Sequence, residues 1–121
     1  MSPVLQSHRD LIVWQQAVEL AVEVYKLTQS WPKDELYGLT SQSRRAATSV
    51  AANIAEGYGR ENRGSYQQFL RIAQGSLKEL ETHLAIAHRI DIAREEAITP
   101  VLEQSESVGK LLRLLIRKLS A

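Results

Sequence analysis

Residues 66–87 read YQQFLRIAQGSLKELETHLAIA, and this stretch decides the fold. Its apolar positions alternate steps of four and three residues, namely Tyr66, Leu70, Ala73, Leu77, Leu80, Leu84 and Ala87. A strand would instead alternate apolar and polar residues at every second position. The spacing therefore predicts a long amphipathic helix with a coiled-coil-like apolar seam, and we expect it to span residues 65–90.

The segment before it shows the same helical character. Between Leu11 and Leu27, 12 of 17 residues are apolar, and the five polar ones fall mainly on a narrow stripe. Asp10 stands where a helix-capping residue is expected. Pro32 disfavours helical backbone in the residue before it, so the Ser30-Trp31-Pro32 run ends the segment. We predict a first helix over residues 11–29.

A second helix is predicted over residues 36–57, starting between Glu35 and Leu39. Its small and apolar side chains are expected to face inward and to allow close helix approach; they are Ala46, Ala47, Val50, Ile54 and Ala55. Gly57 and Gly59 are natural left-handed residues for its C-terminal end.

A fourth helix is predicted over residues 94–119. Its seam is expected to contain Ile98, Val101, Ser105, Val108, Leu112, Leu115 and Leu119. Pro100 leaves two alternatives for the start of this helix. It either kinks a helix that has already begun near Ala93, or occupies the first turn of a helix capped by Thr99.

Four amphipathic helices joined by short links predict an all-α, up-and-down antiparallel four-helix bundle, with residues 1–121 as one domain. The composition agrees, because the 121 residues include only six Gly and three Pro. The chain has no Cys, and its N-terminus lacks the pattern of a signal peptide. No apolar run reaches the roughly 18 residues that span a membrane. We expect a cytoplasmic protein, and its net charge of +1 predicts no long-range attraction to nucleic acid or membranes.

Two of the predicted helices carry more apolar surface than one bundle face requires. The first has a second apolar stripe, and the fourth has apolar residues outside its seam. The candidate subunit-interface residues are Leu11, Trp14, Val18, Tyr25, Leu111 and Leu114. We interpret this excess as a homomeric, cyclic interface. The alternative is that a small bundle buries wide helix faces internally.

The search for catalytic chemistry yields one candidate pair. Glu79 and His83 lie one turn apart on a stripe that is otherwise largely apolar, which predicts a semi-buried polar pair. The simpler interpretation is a Glu and a His that satisfy each other at a helix contact. The Glu-x-x-His pairs of a di-iron bundle are missing from the sequence, so we predict no metal site, no cofactor and no catalytic residue.

Basic residues gather at three places in the chain. The first group is Arg44 and Arg45, and the second is Arg60 and Arg63 with Arg71 nearby; these five are the candidate contacts for nucleic-acid phosphates. The third group comprises Lys110, Arg113, Arg117 and Lys118. It has a structural explanation, because cations near a helix C-terminus interact favourably with the helix dipole.

Several motifs, in order along the chain, carry a resemblance to a known family. They are residues 10–15 (DLIVWQ), 37–42 (YGLTSQ), 44–47 (RRAA), 53–60 (NIAEGYGR), 69–73 (FLRIA) and 75–81 (GSLKELE). The chain resembles the bacterial four helix bundle family that includes proteins encoded in 23S ribosomal RNA intervening sequences, with the accessory protein of diversity-generating retroelements as a relative. Ser43 and Ala51 depart from the family pattern, which usually has an apolar residue and often Pro at these positions.

The resemblance implies a barrel-like homopentamer of bundles. For the retroelement relatives it also implies binding of nucleic acid and of a reverse transcriptase through a basic surface. We therefore predict a homo-oligomeric scaffold or interaction module that is not an enzyme and that binds itself and a protein partner. The alternative function is a nucleic-acid-binding accessory protein, for RNA or DNA. An enzyme centred on Glu79 and His83 is a distant third hypothesis.

Overall fold

The computed structural model describes residues 5–120. Its four α-helices are α1 (Ile12–Thr28), α2 (Ser41–Tyr58), α3 (Arg63–Arg89) and α4 (Glu95–Ser120). Consecutive helices pack against each other, and α4 packs back onto α1. This confirms the predicted all-α, up-and-down four-helix bundle, and no strand occurs among the described residues. Nowhere between residues 5 and 120 is a helix both long and apolar enough to cross a membrane.

The predicted seams of α3 and α4 form much of the core. Six of the seven α3 positions are buried, and Tyr66 is half-buried. In α4 the seam is buried as predicted as far as Leu112, after which Ile116 is buried and Leu115 is only half-buried. The prediction is wrong in this last part because an α-helix has 3.6 residues per turn and drifts away from a 3.5-residue repeat.

The start of α2 differs from the prediction. Residues Leu36–Thr40 form a π-helical turn, and Gly38 within it has non-helical dihedral angles (φ −110°, ψ −116°). The Glu35 carboxylate accepts a hydrogen bond from the backbone N–H of Leu39 at 3.1 Å, in place of a regular helical acceptor. The α-helix proper therefore begins at Ser41. Of the predicted inward residues of α2, Ala55 is only half-buried, and Ser43 and Gly57 are buried instead.

Two predicted helix caps are also wrong. Asp10 does not cap α1, which follows Leu11 without a side-chain cap. Its carboxylate instead accepts a hydrogen bond from the backbone N–H of Gln6 at 2.8 Å and closes the preceding short turn with Ser7. No described glycine has a positive φ, so Gly57 and Gly59 do not end α2 in a left-handed conformation.

Gly57 has a different role, at the closest approach of α2 to α3. A Cβ atom at this position would lie 2.8 Å from Phe69 Cβ and 3.2 Å from the Tyr66 carbonyl oxygen. Van der Waals contacts between carbon atoms are normally about 3.5 to 4.0 Å long. The absent side chain therefore sets the spacing of these two helices.

Of the two alternatives for α4, the structure has the earlier start. The helix begins at Glu95, so that Pro100 lies inside it. The Thr99 hydroxyl donates to the Glu95 carbonyl oxygen at 2.9 Å, and Thr99 is therefore a residue of the helix rather than its cap.

Candidate interaction surfaces

An apolar groove runs between α1 and α2. Its volume is about 410 Å³. Val18, Ala21, Val22 and Tyr25 of α1 line it, opposite Thr48 and Ala51 of α2, with Lys26 and Gln29 at the α1 end. Val22 and Tyr25 keep 40% and 44% of their surface exposed. We call this surface, together with the exposed residues described next, the α1–α2 face.

The π-helical turn extends the α1–α2 face toward the start of α2. Leu36 is 46% exposed and Tyr37 is 91% exposed. Both border a second depression, of about 450 Å³, which shares Tyr25 and Thr48 with the first. Because the two depressions adjoin, the exposed apolar side chains form one continuous surface. Solvent-exposed apolar surface of this kind is typical of interaction sites.

The structure divides the six candidate interface residues into three groups. Leu11, Trp14 and Leu111 are half-buried and pack against the core, so they are used at least partly within one bundle. Val18 and Tyr25 line the α1–α2 groove. Leu114 is 59% exposed on α4. The apolar excess of the sequence is thus partly absorbed internally, and part of the remainder lies on the α1–α2 face.

Arg44 belongs to the α1–α2 contact. Its Nε donates a hydrogen bond to the Thr28 hydroxyl oxygen at 2.8 Å, and its guanidinium lies 4.6 Å from the centre of the Tyr25 ring. The Thr28 hydroxyl in turn donates to the Val24 carbonyl at 2.8 Å. Arg44 is therefore held in a fixed position, whereas Arg45 is exposed and borders the second depression.

The other candidate arginines lie elsewhere, and the five do not form one surface. Arg60 pairs with Glu56 at 2.7 Å, and its guanidinium lies 4.9 Å from the centre of the Phe69 ring. Arg63 is the first residue of α3 and is exposed. Arg71 lies further along α3, facing α4.

Arg71 borders a groove of about 640 Å³ between α3 and α4. Four cationic side chains line this groove, together with the carboxylates of Glu81 and Glu106. The cations are Arg71, Lys78, Lys110 and Arg113. Gly75 of α3 and Gly109 of α4 also line it, and a Cβ atom added to Gly75 would meet nothing within 4 Å. The missing side chains leave open space between the two helices.

Glu81 is held at the edge of this groove by two neighbours. The buried Ser105 hydroxyl donates to one Glu81 carboxylate oxygen at 2.7 Å, and the Lys78 ammonium lies 3.3 Å from the other. Glu81 and Lys78 therefore largely offset each other's charge. Arg71, Lys110 and Arg113 have no ion-pair partner among residues 5–120.

Glu79 and His83 do not form the predicted semi-buried pair. Glu79 is exposed, and only His83 is half-buried. The prediction was wrong for Glu79 because its side chain faces outward. The polar contact of α3 with α2 is made one turn earlier, between Ser76 and Ser49 at 2.9 Å. No group of three or more His, Asp or Glu side chains in the described part of the chain could hold a metal ion.

Sequence reasoning missed two features of these surfaces. Leu36 and Tyr37 were included in the helix, and only the later start of α2 leaves them exposed on the α1–α2 face. The convergence of Arg71 with Lys110 and Arg113 depends on the register of two helices that are distant in the sequence. The available signal was a glycine within each helical pattern, Gly75 and Gly109, because such glycines have a packing or functional reason.

Comparison with known proteins agrees with the fold. A solved structure of a protein of unknown function from Bacteroides thetaiotaomicron, assigned to the S23 ribosomal protein family, superposes with a TM-score of 0.78. The two chains are 26% identical over 87% of this chain and 98% of the other. No curated protein matches the chain significantly. The sequence profile described as 23S rRNA-intervening sequence protein matches residues 9–114. The chain therefore belongs to the 23S rRNA-intervening sequence protein family.

Proposed function

We propose that this protein is a homo-oligomeric helical-bundle module, which acts by binding further copies of itself and a macromolecular partner rather than by catalysis. The observation that carries the proposal is the continuous apolar surface of the α1–α2 face. The occupant that we propose for it is a second copy of this chain. The family resemblance implies five copies, and a ring of this kind requires heterologous contacts between two different surfaces of the bundle.

The chemistry of the α1–α2 face supports protein association. Tyrosine and arginine are enriched among the residues that dominate binding energy in protein interfaces. Tyr25, Tyr37 and Arg44 lie at or beside the groove. The Thr28 hydrogen bond and the Tyr25 ring already fix Arg44, so association immobilises it at little further entropic cost. Leu114, exposed on α4, is a candidate for the complementary surface.

The test is the native mass by light scattering, combined with Val22→Glu. We expect the wild-type protein to have a mass several times that of the 13.6 kDa chain. Val22 is 40% exposed, so a carboxylate fits the isolated bundle but is desolvated in the interface. Desolvating an ion costs several kcal/mol, and about 3 kcal/mol weakens association roughly 100-fold. Val22→Glu should therefore be monomeric at micromolar concentration.

The matched control is Ile90→Glu. Ile90 is 50% exposed directly after α3 and lines neither depression of the α1–α2 face, and the substitution introduces the same charge. This variant should keep the wild-type mass. A wild-type monomer at every micromolar concentration refutes self-association. Equal dissociation of both variants refutes its assignment to the α1–α2 face.

A second candidate function is nucleic-acid binding, which the description of the family as 23S rRNA-intervening sequence proteins favours. Arg45, Arg60 and Arg63 are exposed, and Arg60 would exchange its pairing with Glu56 for a phosphate contact. Each phosphate contact contributes about −0.9 to the slope of log affinity against log salt on a duplex. Arg45→Gln should reduce that slope by about one contact for RNA or DNA duplexes. Affinity that is undetectable at low salt, or unchanged in Arg45→Gln and Arg63→Gln, excludes this function for these residues.

A further inference from the structure

We propose that the groove between α3 and α4 is a binding site for a small polyphosphate, that is, a ligand with two or more linked phosphate groups. This site goes beyond self-association, because it lies on the side of the bundle opposite the α1–α2 face. The proposal rests on the charges that line the groove, on the two glycines in its lining and on its unpaired cations.

The charge of the groove favours an anion. Four cations and two carboxylates line it, in a chain whose net charge is only +1. One carboxylate, that of Glu81, is already held by the Ser105 hydroxyl and the Lys78 ammonium. Arg71, Lys110 and Arg113 form no ion pair within residues 5–120. The other carboxylate that lines the groove, that of Glu106, offsets only part of their charge. The groove therefore carries a net positive charge, and a concave surface with an excess of one sign of charge attracts ligands of the opposite sign.

The spacing of the cations indicates more than one phosphate. Arg71 and Lys78 are two helical turns apart on α3, which corresponds to about 10 Å along the groove. Lys110 and Arg113 are about one turn apart on α4. Lys78 is already paired with Glu81, but Arg71 on α3 and Lys110 and Arg113 on α4 are spread along the groove, which suits a linked series of phosphates better than a single phosphate. The guanidinium groups of Arg71 and Arg113 are suited to paired hydrogen bonds with phosphate oxygens.

Glycines at two of the lining positions keep the groove open between the charged side chains. Gly75 and Gly109 leave space that side chains at these positions would occupy. The resulting volume, about 640 Å³, lies within the range of small-molecule sites. No aromatic side chain lines the groove, so it offers no stacking platform for unpaired nucleic-acid bases. These features favour a small polyphosphate over single-stranded nucleic acid.

The experiment is isothermal titration calorimetry with inorganic tripolyphosphate, at two salt concentrations. We expect Arg71→Gln and Arg113→Gln each to weaken binding at least 10-fold. Arg89→Gln removes the same charge from the exposed last residue of α3, outside the groove, and should change the affinity less than 2-fold. Gly75→Leu alters no charge but places a large side chain in the lining of the groove. Because nothing lies within 4 Å of the added Cβ, the fold should persist while binding is lost.

Several results overturn the proposal. Tripolyphosphate fails to bind the wild-type protein, or binds no more tightly than single phosphate at the same ionic strength. Alternatively, Arg89→Gln weakens binding as much as Arg71→Gln, which indicates general attraction to charge. Finally, an RNA duplex binds with an affinity that Arg71→Gln reduces, while tripolyphosphate neither binds nor competes. That last result assigns the cations to nucleic acid instead.

Discussion

Gly57 gives the sharpest test of how α2 and α3 pack. Ordinarily, replacing a glycine inside a helix with alanine stabilises the helix by about 1 kcal/mol. At Gly57 the added Cβ would lie 2.8 Å from Phe69 Cβ, 3.1 Å from Tyr66 Cδ1 and 3.2 Å from the Tyr66 carbonyl oxygen. Two of these atoms belong to, or are directly attached to, the α3 backbone. They cannot move aside by a rotamer change, so the two helices must separate.

Forcing extra volume into a well-packed core costs about 1 to 3 kcal/mol. With three short contacts we take the upper value, and the helix-propensity gain of about 1 kcal/mol offsets part of it. Gly57→Ala should therefore lower the free energy of unfolding by about 2 kcal/mol. At this chain length that corresponds to a fall in Tm of roughly 8 °C.

Gly75→Ala is the matched control, because the substitution is the same but the Cβ meets nothing within 4 Å. It should raise the free energy of unfolding by up to about 1 kcal/mol. The assay is urea unfolding followed by circular dichroism, at one fixed protein concentration because association shifts apparent stability. If Gly57→Ala is as stable as the wild-type protein, or the two variants shift together, the close approach at Gly57 does not control packing.

Three further predictions concern stability. The Ser43 hydroxyl is buried without a hydrogen-bond partner among the described residues. Ser43→Ala should therefore raise the free energy of unfolding, measured in urea, by about 1 kcal/mol. A decrease of about 1 kcal/mol instead shows that the hydroxyl does form a hydrogen bond. Pro100 is exposed inside α4 and has no N–H to donate to the Glu96 carbonyl, so Pro100→Ala should raise Tm. An unchanged or lower Tm contradicts a regular helix at Pro100. Burial, with a smaller contribution from Tyr58, raises the pKa of Tyr66 above the ordinary tyrosine value. The neutral Tyr66 side chain therefore contributes fully to the stability of the fold below about pH 10, and this contribution is lost as pH rises through the higher pKa of the folded state. Absorbance titration at 295 nm should show one late-ionising tyrosine that disappears in Tyr66→Phe; its persistence assigns it elsewhere.

Apolar periodicity predicted the long helices well because burial in a bundle imposes that periodicity directly. The α3 prediction of 65–90 compares with an observed helix of Arg63–Arg89, and the α4 prediction of 94–119 compares with Glu95–Ser120. The start of α2 was wrong because Leu36 and Leu39 fit a helical pattern equally well in a π-turn. What decides between the two is local, namely the dihedral angles of Gly38 and the bond from Glu35 to the Leu39 amide.

The candidate sites were less predictable than the fold, because they depend on which helices are neighbours. The sequence grouped Arg44 with Arg45 as phosphate contacts, yet in the structure Thr28 and Tyr25 of α1 hold Arg44. Similarly, the helix dipole was sufficient to explain Arg113 until the structure placed it across a groove from Arg71. A residue's position along one helix predicts its face, but not the side chains that meet it from the next helix.

The two grooves have opposite character, and this separates the two binding activities that we propose. Subunit interfaces are depleted of charge at their centre, so the apolar α1–α2 face suits self-association and the cationic α3–α4 groove does not. A ring in which the second surface lies outside the α3–α4 groove leaves that groove open in each subunit. Such an oligomer displays several sites, and a multivalent polyphosphate then binds more tightly than one site allows. The two activities should be lost independently. Val22→Glu should become monomeric and keep the tripolyphosphate affinity of a single site, whereas Gly75→Leu should lose tripolyphosphate binding and keep the oligomeric mass.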